Sequence, residues 1–581
     1  MVIEMTFISN SPAISDPPFM SNFPVKSTKL PYVTVSAKGI SNGLSDIPND
    51  GADFGPDTLL GTSSKGQYGS PYTQTSGLQE AINYVRSFAN PNTAFLPEIY
   101  LAPGLYLVHQ PIYLKYTSTN IPSEASNTIG NASSVSAPSL IGFGNVNGQA
   151  NYTPTGAVIK AASDFPKGEY LYALLLPTTA WYSGATNPQW VGGKLENIVF
   201  DCNNLASGVM LQQFGNGTAM RLSIRNPTVP SPVITQAPDS SGQSIQTGAF
   251  VYSNTSDSGE FTALSQIQIR GIAYEDGFVI SAPGGGGQII GENLWCAGGA
   301  QRYGFNLSAS SLFPLILINP ESDTSGGWTG SVPSTNPTSP QSAGYYIGVG
   351  SVKIINNNTF IGIQGNYPYI FNLGNLYIDG GYYKATGNQY VIITPANTTV
   401  VENAWIEYNS SSNGIFQAIN ADNIQYVVQV FRNISYNDDN TGTPSYPPFS
   451  INWGAMPPWW SYIHVDPFFD NRVRYFGGYP PSVPNSITSG TVYQNQNPLK
   501  VRIYLPVYAS TSGTAGSVSV AMGNNQSGAS PPSIPTIYTK FINGSTSSSA
   551  PEVVTVEVPA GWYYSFTGTG VTFGTATVEA V

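Results

Sequence analysis

The side chains in this chain whose types and spacing could do chemistry are carboxylates. Glu292-Asn293-Leu294-Trp295 is followed by Pro320-Glu321-Ser322-Asp323, and Glu321 comes 29 residues after Glu292. Cleaving a bond between sugars takes two carboxyl groups, one to protonate the leaving oxygen and one to act as base or nucleophile. A lyase instead uses a base together with a cation that stabilises an enolate-like intermediate. Glu292, Glu321 and Asp323 are therefore the candidate catalytic acids. Trp295 and Trp328 offer flat apolar faces for sugar rings. Arg302 could bind a carboxylate or stabilise developing negative charge. Glu275-Asp276 lies one repeat earlier, and Asp379, Glu402, Trp405 and Glu407 form a second cluster. Each acid also has a plainer reading, as a turn former or a solvated corner group. Asp201 in Asp201-Cys202-Asn203-Asn204 has it in specific form, as the cap of a turn.

Other chemistries lack their residues. The two histidines, His109 and His464, are far apart, and no HExxH, CxxC or Gly-x-Ser-x-Gly pattern occurs. Neither a metal nor a cofactor is expected. His109 reads as a packed or capping histidine. Gly284-Gly285-Gly286-Gly287 lacks the Lys-Ser/Thr of a phosphate loop and reads as a turn. The net charge of −11 and the missing basic stripe argue against nucleic acid. No stretch approaches the roughly 18 apolar residues of a membrane span. Cys202 and Cys296 read as two buried thiols, with one disulfide between repeats as the sharper alternative.

What must position the acids is a repeated phrase, an alternating apolar strand and a small turn. Its copies include Leu195-Glu196-Asn197-Ile198-Val199-Phe200-Asp201, Gly277-Phe278-Val279-Ile280, Gly304-Phe305-Asn306-Leu307 and Val401-Glu402-Asn403-Ala404-Trp405-Ile406-Glu407. One such strand cannot bury its apolar face alone, so it needs copies stacked above and below. Irregular repeats of roughly 20 to 35 residues with this content predict an all-β fold, a right-handed parallel β-helix over residues 95–440. Leu78, Ala81, Ile82, Val85 and Ala89 recur at helical spacing after Ser76, with Gln79 placed for a capping box. That helix, Ser76 to Ala89, would cover the open end of the stack.

Three domains follow. Residues 1–74, rich in Pro, Ser and Gly, read as an extended attachment arm; residues 75–445 are the β-helix; residues 446–581 change style. An aromatic, proline-rich junction there leads to short alternating strands such as Val501-Arg502-Ile503-Tyr504-Leu505 and Val553-Val554-Thr555-Val556, the pattern of a β-sandwich.

Taken together, the capping helix, the Ile99-Tyr100-Leu101-Ala102-Pro103-Gly104-Leu105-Tyr106-Leu107 hairpin, Leu140-Ile141-Gly142-Phe143-Gly144 and the Leu-Glu-Asn-Ile-Val-Phe-Asp phrase resemble the pectate-lyase-like β-helix superfamily. The resemblance spans residues 75–435 and is closest to the branch of viral tailspikes. The pectin-hydrolase pattern of Asn-Thr-Asp, Asp-Asp, Gly-His-Gly and Arg-Ile-Lys is absent, and no Lys/Arg-rich floor for a polyuronate is evident. The resemblance implies a tailspike or fibre subunit on the virion surface, a homotrimer that binds host cell-surface polysaccharide or glycoprotein glycan. Depolymerisation by a glycosidase or lyase reaction extends that reading, and the arm would join other tail proteins.

The surface agrees with an extracellular setting. Charged residues are 9% against 41% apolar and 12% aromatic, so the exterior must be built from Ser, Thr, Asn, Gln and Tyr. Eleven Asn-X-Ser/Thr sequons occur, yet Met1 to Thr6 begins no signal peptide. Release inside a particle would reconcile the two. The rivals are a secreted cellular polysaccharide lyase or hydrolase, and a non-enzymatic capsid-decoration or surface adhesin protein.

Overall fold

The computed structural model describes residues 32–38, 51–88, 96–115, 134–144, 146, 155–175, 189–212, 214–229, 248–253, 262–271, 275–282, 288–298, 300–310, 312–324, 326, 340–359, 362–363, 365–385, 389–394, 398–408, 414–418, 428–438, 449–451, 462–465, 486–495, 500–523, 534–548, 550–559 and 562–580. Parallel strands stack into a nineteen-stranded sheet, an eleven-stranded sheet and a three-stranded patch. This is a parallel β-helix, and one apolar core runs along it from Val33 to Ile434.

The stack extends beyond both expected ends. Tyr32–Val35 pairs in parallel with Glu98–Leu101, so part of the expected arm is the first rung. Residues 51–54 fold against it: the Thr34 N–H donates to Asp53 at 3.0 Å, and the Ser36 N–H to the Phe54 carbonyl at 3.0 Å. At the far end Val428–Arg432 pairs with Tyr462–Val465, past residue 445.

The Asn of the repeated phrase is a corner. Asn197, Arg221, Gln266, Asn293, Asn319, Asn356, Asn403 and Asn433 all have φ between 48° and 62°, and Gly380 completes their column at 77°. One left-handed residue turns the chain from one strand to the next without a loop. Asn tolerates that conformation better than other side chains do. Stacked amides then bond from coil to coil: Asn319 Nδ2 to Asn293 Oδ1 at 3.3 Å, Asn356 to Asn319 at 2.8 Å, and Asn433 to Asn403 at 2.8 Å.

The Gly-aromatic phrase fills the opposite wall. Phe278 stacks on Phe305 at 4.8 Å, and Phe305 on Tyr345 at 4.8 Å. A Cβ on Gly304 would lie 2.0 Å from Ser322 Oγ and 2.8 Å from the Gly344 carbonyl, so the next coil leaves room for glycine alone.

The helix Leu78–Arg86 buries Leu78, Ala81, Ile82 and Val85 fully and packs on the first coil's strands. Its cap differs from the expected box. Gly77 is the N-cap, the Ser76 hydroxyl donates to the Leu107 carbonyl at 2.6 Å, and Thr75 Oγ1 accepts the Gln79 N–H at 3.1 Å. The Gln79 side chain is used elsewhere, accepting from the Tyr113 N–H at 3.0 Å. Ala89 lies outside the described residues.

From Val492 to Ala580 two four-stranded antiparallel sheets form a sandwich. Val501, Ile503 and Leu505 of one sheet meet Val518, Val520 and Phe566 of the other in a core of its own. Most of the aromatic junction lies outside the described residues. Cys202 and Cys296 are both buried and no disulfide joins them, so the disulfide alternative falls. Two sequon asparagines, Asn306 and Asn357, are also buried, which removes them as glycosylation sites in the folded chain.

Candidate functional site

The strand Glu321–Asp323 lies one rung beyond Trp295–Ala297: Trp295 pairs with Glu321, Cys296 with Ser322, and Ala297 with Asp323. Ser322 and Cys296 continue an inward column below Ile224 and Ile269. Strand alternation therefore turns Glu321 and Asp323 outward on the same face. They line an open cavity of about 520 Å³ with Trp295, Ala297, Gly298, Asn358 and Thr359.

The two carboxyl groups stand two residues apart on one face of the strand and line the same cavity. Partial burial, and then the Asp323 charge, push the Glu321 carboxyl up to about 7. The Trp295 indole N–H beside it and the Arg270 cation pull the other way. The indole N–H acts from outside hydrogen-bond geometry and has no acceptor of its own among the described residues. Asp323, 5% exposed, is anchored by the Gly362 N–H, which donates to Oδ1 at 3.0 Å. Glu321 can thus hold a proton near neutral pH while Asp323 stays fixed beside it.

A buried polar network supports this strand from inside. The Ser322 hydroxyl donates to the Gly344 carbonyl at 3.0 Å, and the Tyr369 hydroxyl to the Ser322 carbonyl at 3.0 Å. Tyr369 also bonds Thr359 of the cavity wall, and Asn357 Nδ2 donates to Thr359 Oγ1 at 2.6 Å.

The other expected site residues are placed differently. Glu292 is exposed at the end of Ile289–Glu292, pairs with Ile318, and does not line the cavity. The coil here is 26 residues long, as between Asn293 and Asn319, so a count of 29 puts Glu292 and Glu321 on opposite sides of the Asn corner. Arg302 is buried in the interior. Its guanidinium holds Asp276 through two bonds of 2.7 and 2.6 Å and Glu275 at 2.6 Å, and Asp276 also accepts from Asn306 at 2.7 Å. That explains both the Glu275-Asp276 pair and Arg302 as an internal ionic cluster with no face toward the cavity. Trp328 lies outside the described residues. Trp295 lines the cavity, but the Arg270 guanidinium covers one face of its ring at 3.9 Å.

The second acidic cluster is ion-paired. Glu402 meets Arg432 at 3.2 Å, and Glu407 bonds Lys384 and the Tyr382 hydroxyl. Asp379 accepts from Asn403 at 3.0 Å. Asp201 caps its turn as the plainer reading expects, accepting the Asn203 N–H at 3.1 Å. His109 bonds Asp164 at 2.6 Å. Among the described residues no three His, Cys, Asp or Glu gather in a way that could hold a metal ion. No described helix is long and apolar enough to cross a membrane.

Arg270, Asn358 and Thr359 belong to this site and were not anticipated. A usable signal exists: aligning successive corner residues, Gln266 with Asn293 and Asn319, puts Arg270 and Ala297 in one column and Trp295 and Glu321 in another.

No family model matches the chain, and no curated protein matches it. Among solved structures, the enzymatically active domain of tailspike protein 2 from bacteriophage CBA120 aligns over 89% of this chain and 75% of its own, at 10% identity and a TM-score of 0.25. A likeness that distant carries no argument.

Proposed function

We propose that this protein is a glycan-binding β-helix of the tailspike or fibre kind that cleaves its polysaccharide by acid catalysis at Glu321. The observation that carries this reading is the pair of neighbouring carboxyls facing an open cavity from one strand, beside an indole. A carboxyl that holds its proton near neutral pH can protonate a glycosidic oxygen, and one with a pKa near the working pH does so most effectively. The charge of Asp323 favours the protonated form of Glu321 and would oppose the positive charge that develops on the sugar. Asp323 stands on the same strand face as Glu321, so it is not the group on the opposite face of the ring. Glu292 keeps that role in the proposal. Three residues and one rung separate it from Glu321, within roughly 11 Å between Cα atoms.

The wider reading is an oligomeric virion-surface protein, a homotrimer, attached by residues before the first rung. The flat stacked wall and the weakly charged exterior support it. The test is cleavage of purified host-surface polysaccharides, followed as new reducing ends or unsaturated products. Glu321→Gln is expected to lower cleavage by about 10²-fold or more with binding retained, and Glu292→Gln to do the same if it is the base. Binding without cleavage by the unmodified protein would favour the adhesin, and full cleavage by Glu321→Gln would remove this site.

A further inference from the structure

Trp405 and Glu407 face outward from the strand Trp405–Tyr408, while Ala404 and Ile406 beside them are buried. The indole of Trp405 is left open. It is 47% exposed, where Trp190 is 2% exposed. Among the described residues the Trp405 ring makes no stack, cation contact or hydrogen bond with another side chain. Its neighbour on the preceding rung is Tyr382, and Lys384 is the neighbour of Glu407. Lys384 and the Tyr382 hydroxyl both donate to the Glu407 carboxylate, which pins it beside the indole. On the following rung Trp405 is partnered by the small, exposed Ser435.

This face continues the wall that carries the acid pair. Asn358 stands one rung beyond Glu321: its N–H donates to the Pro320 carbonyl at 2.8 Å, and both residues line the cavity. Tyr382 pairs with Asn358, and Trp405 with Tyr382. Trp405 therefore lies three rungs from Glu321 in one outward column, roughly 14 Å along the stack. A pyranose unit spans about 5 Å at ordinary single-bond lengths. A polysaccharide with one linkage at Glu321, lying along the column, would bring a ring about three units away over the indole. A lone exposed apolar side chain is ordinary. An open indole in register with the acid pair, next to a carboxylate held from behind, is a platform with a polar edge. The flat ring offers contact to the apolar face of a sugar, and Glu407 retains lone pairs for a ring hydroxyl.

We infer that Trp405, with Glu407 at its edge, is a distal subsite that stacks on a sugar ring about three units from the linkage at Glu321. This rests on the reading of the wall as a glycan site and deepens it. The chain must lie along the stack, from Trp295 one rung before Glu321 to Trp405 three rungs after it. The wall then selects for length, because a fragment too short to reach both the acid and the indole forfeits one of them.

The test uses purified host-surface polysaccharides broken into sized fragments and titrated calorimetrically into the full chain carrying Glu321→Gln, so that the fragments stay intact. Hexasaccharides should bind about tenfold or more tighter than disaccharides of the same polymer. Adding Trp405→Ala should erase most of that length preference, and Trp405→Phe, which keeps a flat ring, should retain part of it. With Glu321 restored, Trp405→Ala should raise KM for the polymer more than it lowers kcat, the signature of lost uniform binding. Equal affinity for long and short fragments overturns the inference without any change at Trp405. So does a length preference that survives Trp405→Ala in a folded protein, and either result leaves the glycan reading standing. A subunit number that changes with Trp405→Ala would assign the ring to a contact between copies and also overturn it. Binding of no polysaccharide rejects both readings.

Discussion

At the scale of single residues, Glu321 makes two pH predictions. Its carboxyl titrates near 4.5 when unfolded and near 7 when folded. Between those values the folded chain holds the extra proton, so stability is greater at the acid end and falls as pH rises from about 4.5 to about 7. Melting temperature measured across that window should decline for the unmodified protein and decline less for Glu321→Gln. A slope of equal size in both would assign the effect to other groups. Cleavage should fall as pH rises above about 7, when Glu321 gives up its proton. Asp323→Asn removes the neighbouring charge and should move that limb to lower pH, which a pH–rate profile would read directly.

At the scale of elements, the corner and glycine columns decide which strands meet. Asn319 sits at φ 49° in the middle of the amide ladder. Asn319→Val forces a β-branched residue into the left-handed region and removes both ladder bonds. It should cost about 1–3 kcal/mol. Asn319→Gly keeps the backbone at ease and should cost less, a ranking that melting temperatures would show. Gly304→Ala is sharper in consequence, because the new methyl meets Ser322 Oγ between the two acids. It should lower both stability and cleavage, whereas Asn319→Val, on the corner column, should mainly lower stability. Comparable catalytic loss in both would show that the acid pair does not depend on its local support.

At the scale of the whole molecule, the chain has two principal cores. The β-helix cluster extends from Val33 to Ile434, and the sandwich cluster from Ile487 to Val578. A solenoid is stabilised rung by rung through nearest neighbours, whereas a sandwich closes on itself. Residues 486–581 expressed alone should therefore give a β-type far-UV circular dichroism spectrum and a cooperative melt. An unfolded fragment would show that the sandwich needs the rest of the chain. The Asn306 and Asn357 burial carries a further expectation: in peptide mapping of glycosylated protein, sugar should be absent from both and confined to exposed sequons such as Asn216 and Asn543.

Alternation of apolar and polar residues, the Asn and Gly punctuation and the apolar face of one helix were legible from sequence, because each is set by neighbours along the chain. They were enough to predict a parallel β-helix, its capping helix and the later sandwich. The turn cap at Asp201 was legible for the same reason. The site was only half legible. Glu321, Asp323 and Trp295 stand together because the coil at that point is 26 residues long, whereas the next corner, from Asn319 to Asn356, comes 37 residues later. Loops of unequal length leave the stacking intact, since they project from the wall, but they make it impossible to count which residues become neighbours between coils. The 29 residues from Glu292 to Glu321 exceed that 26-residue coil by three, so the two acids stand on opposite sides of a corner. Arg302, read as a cation for substrate or developing charge, is an internal ion-pair partner, because burial depends on which coil covers it. Arg270, 45 residues after its stacking partner Arg225, enters the site through register alone. Local pattern determined that the strands would stack, and the tertiary register decided which side chains the stacking brought together.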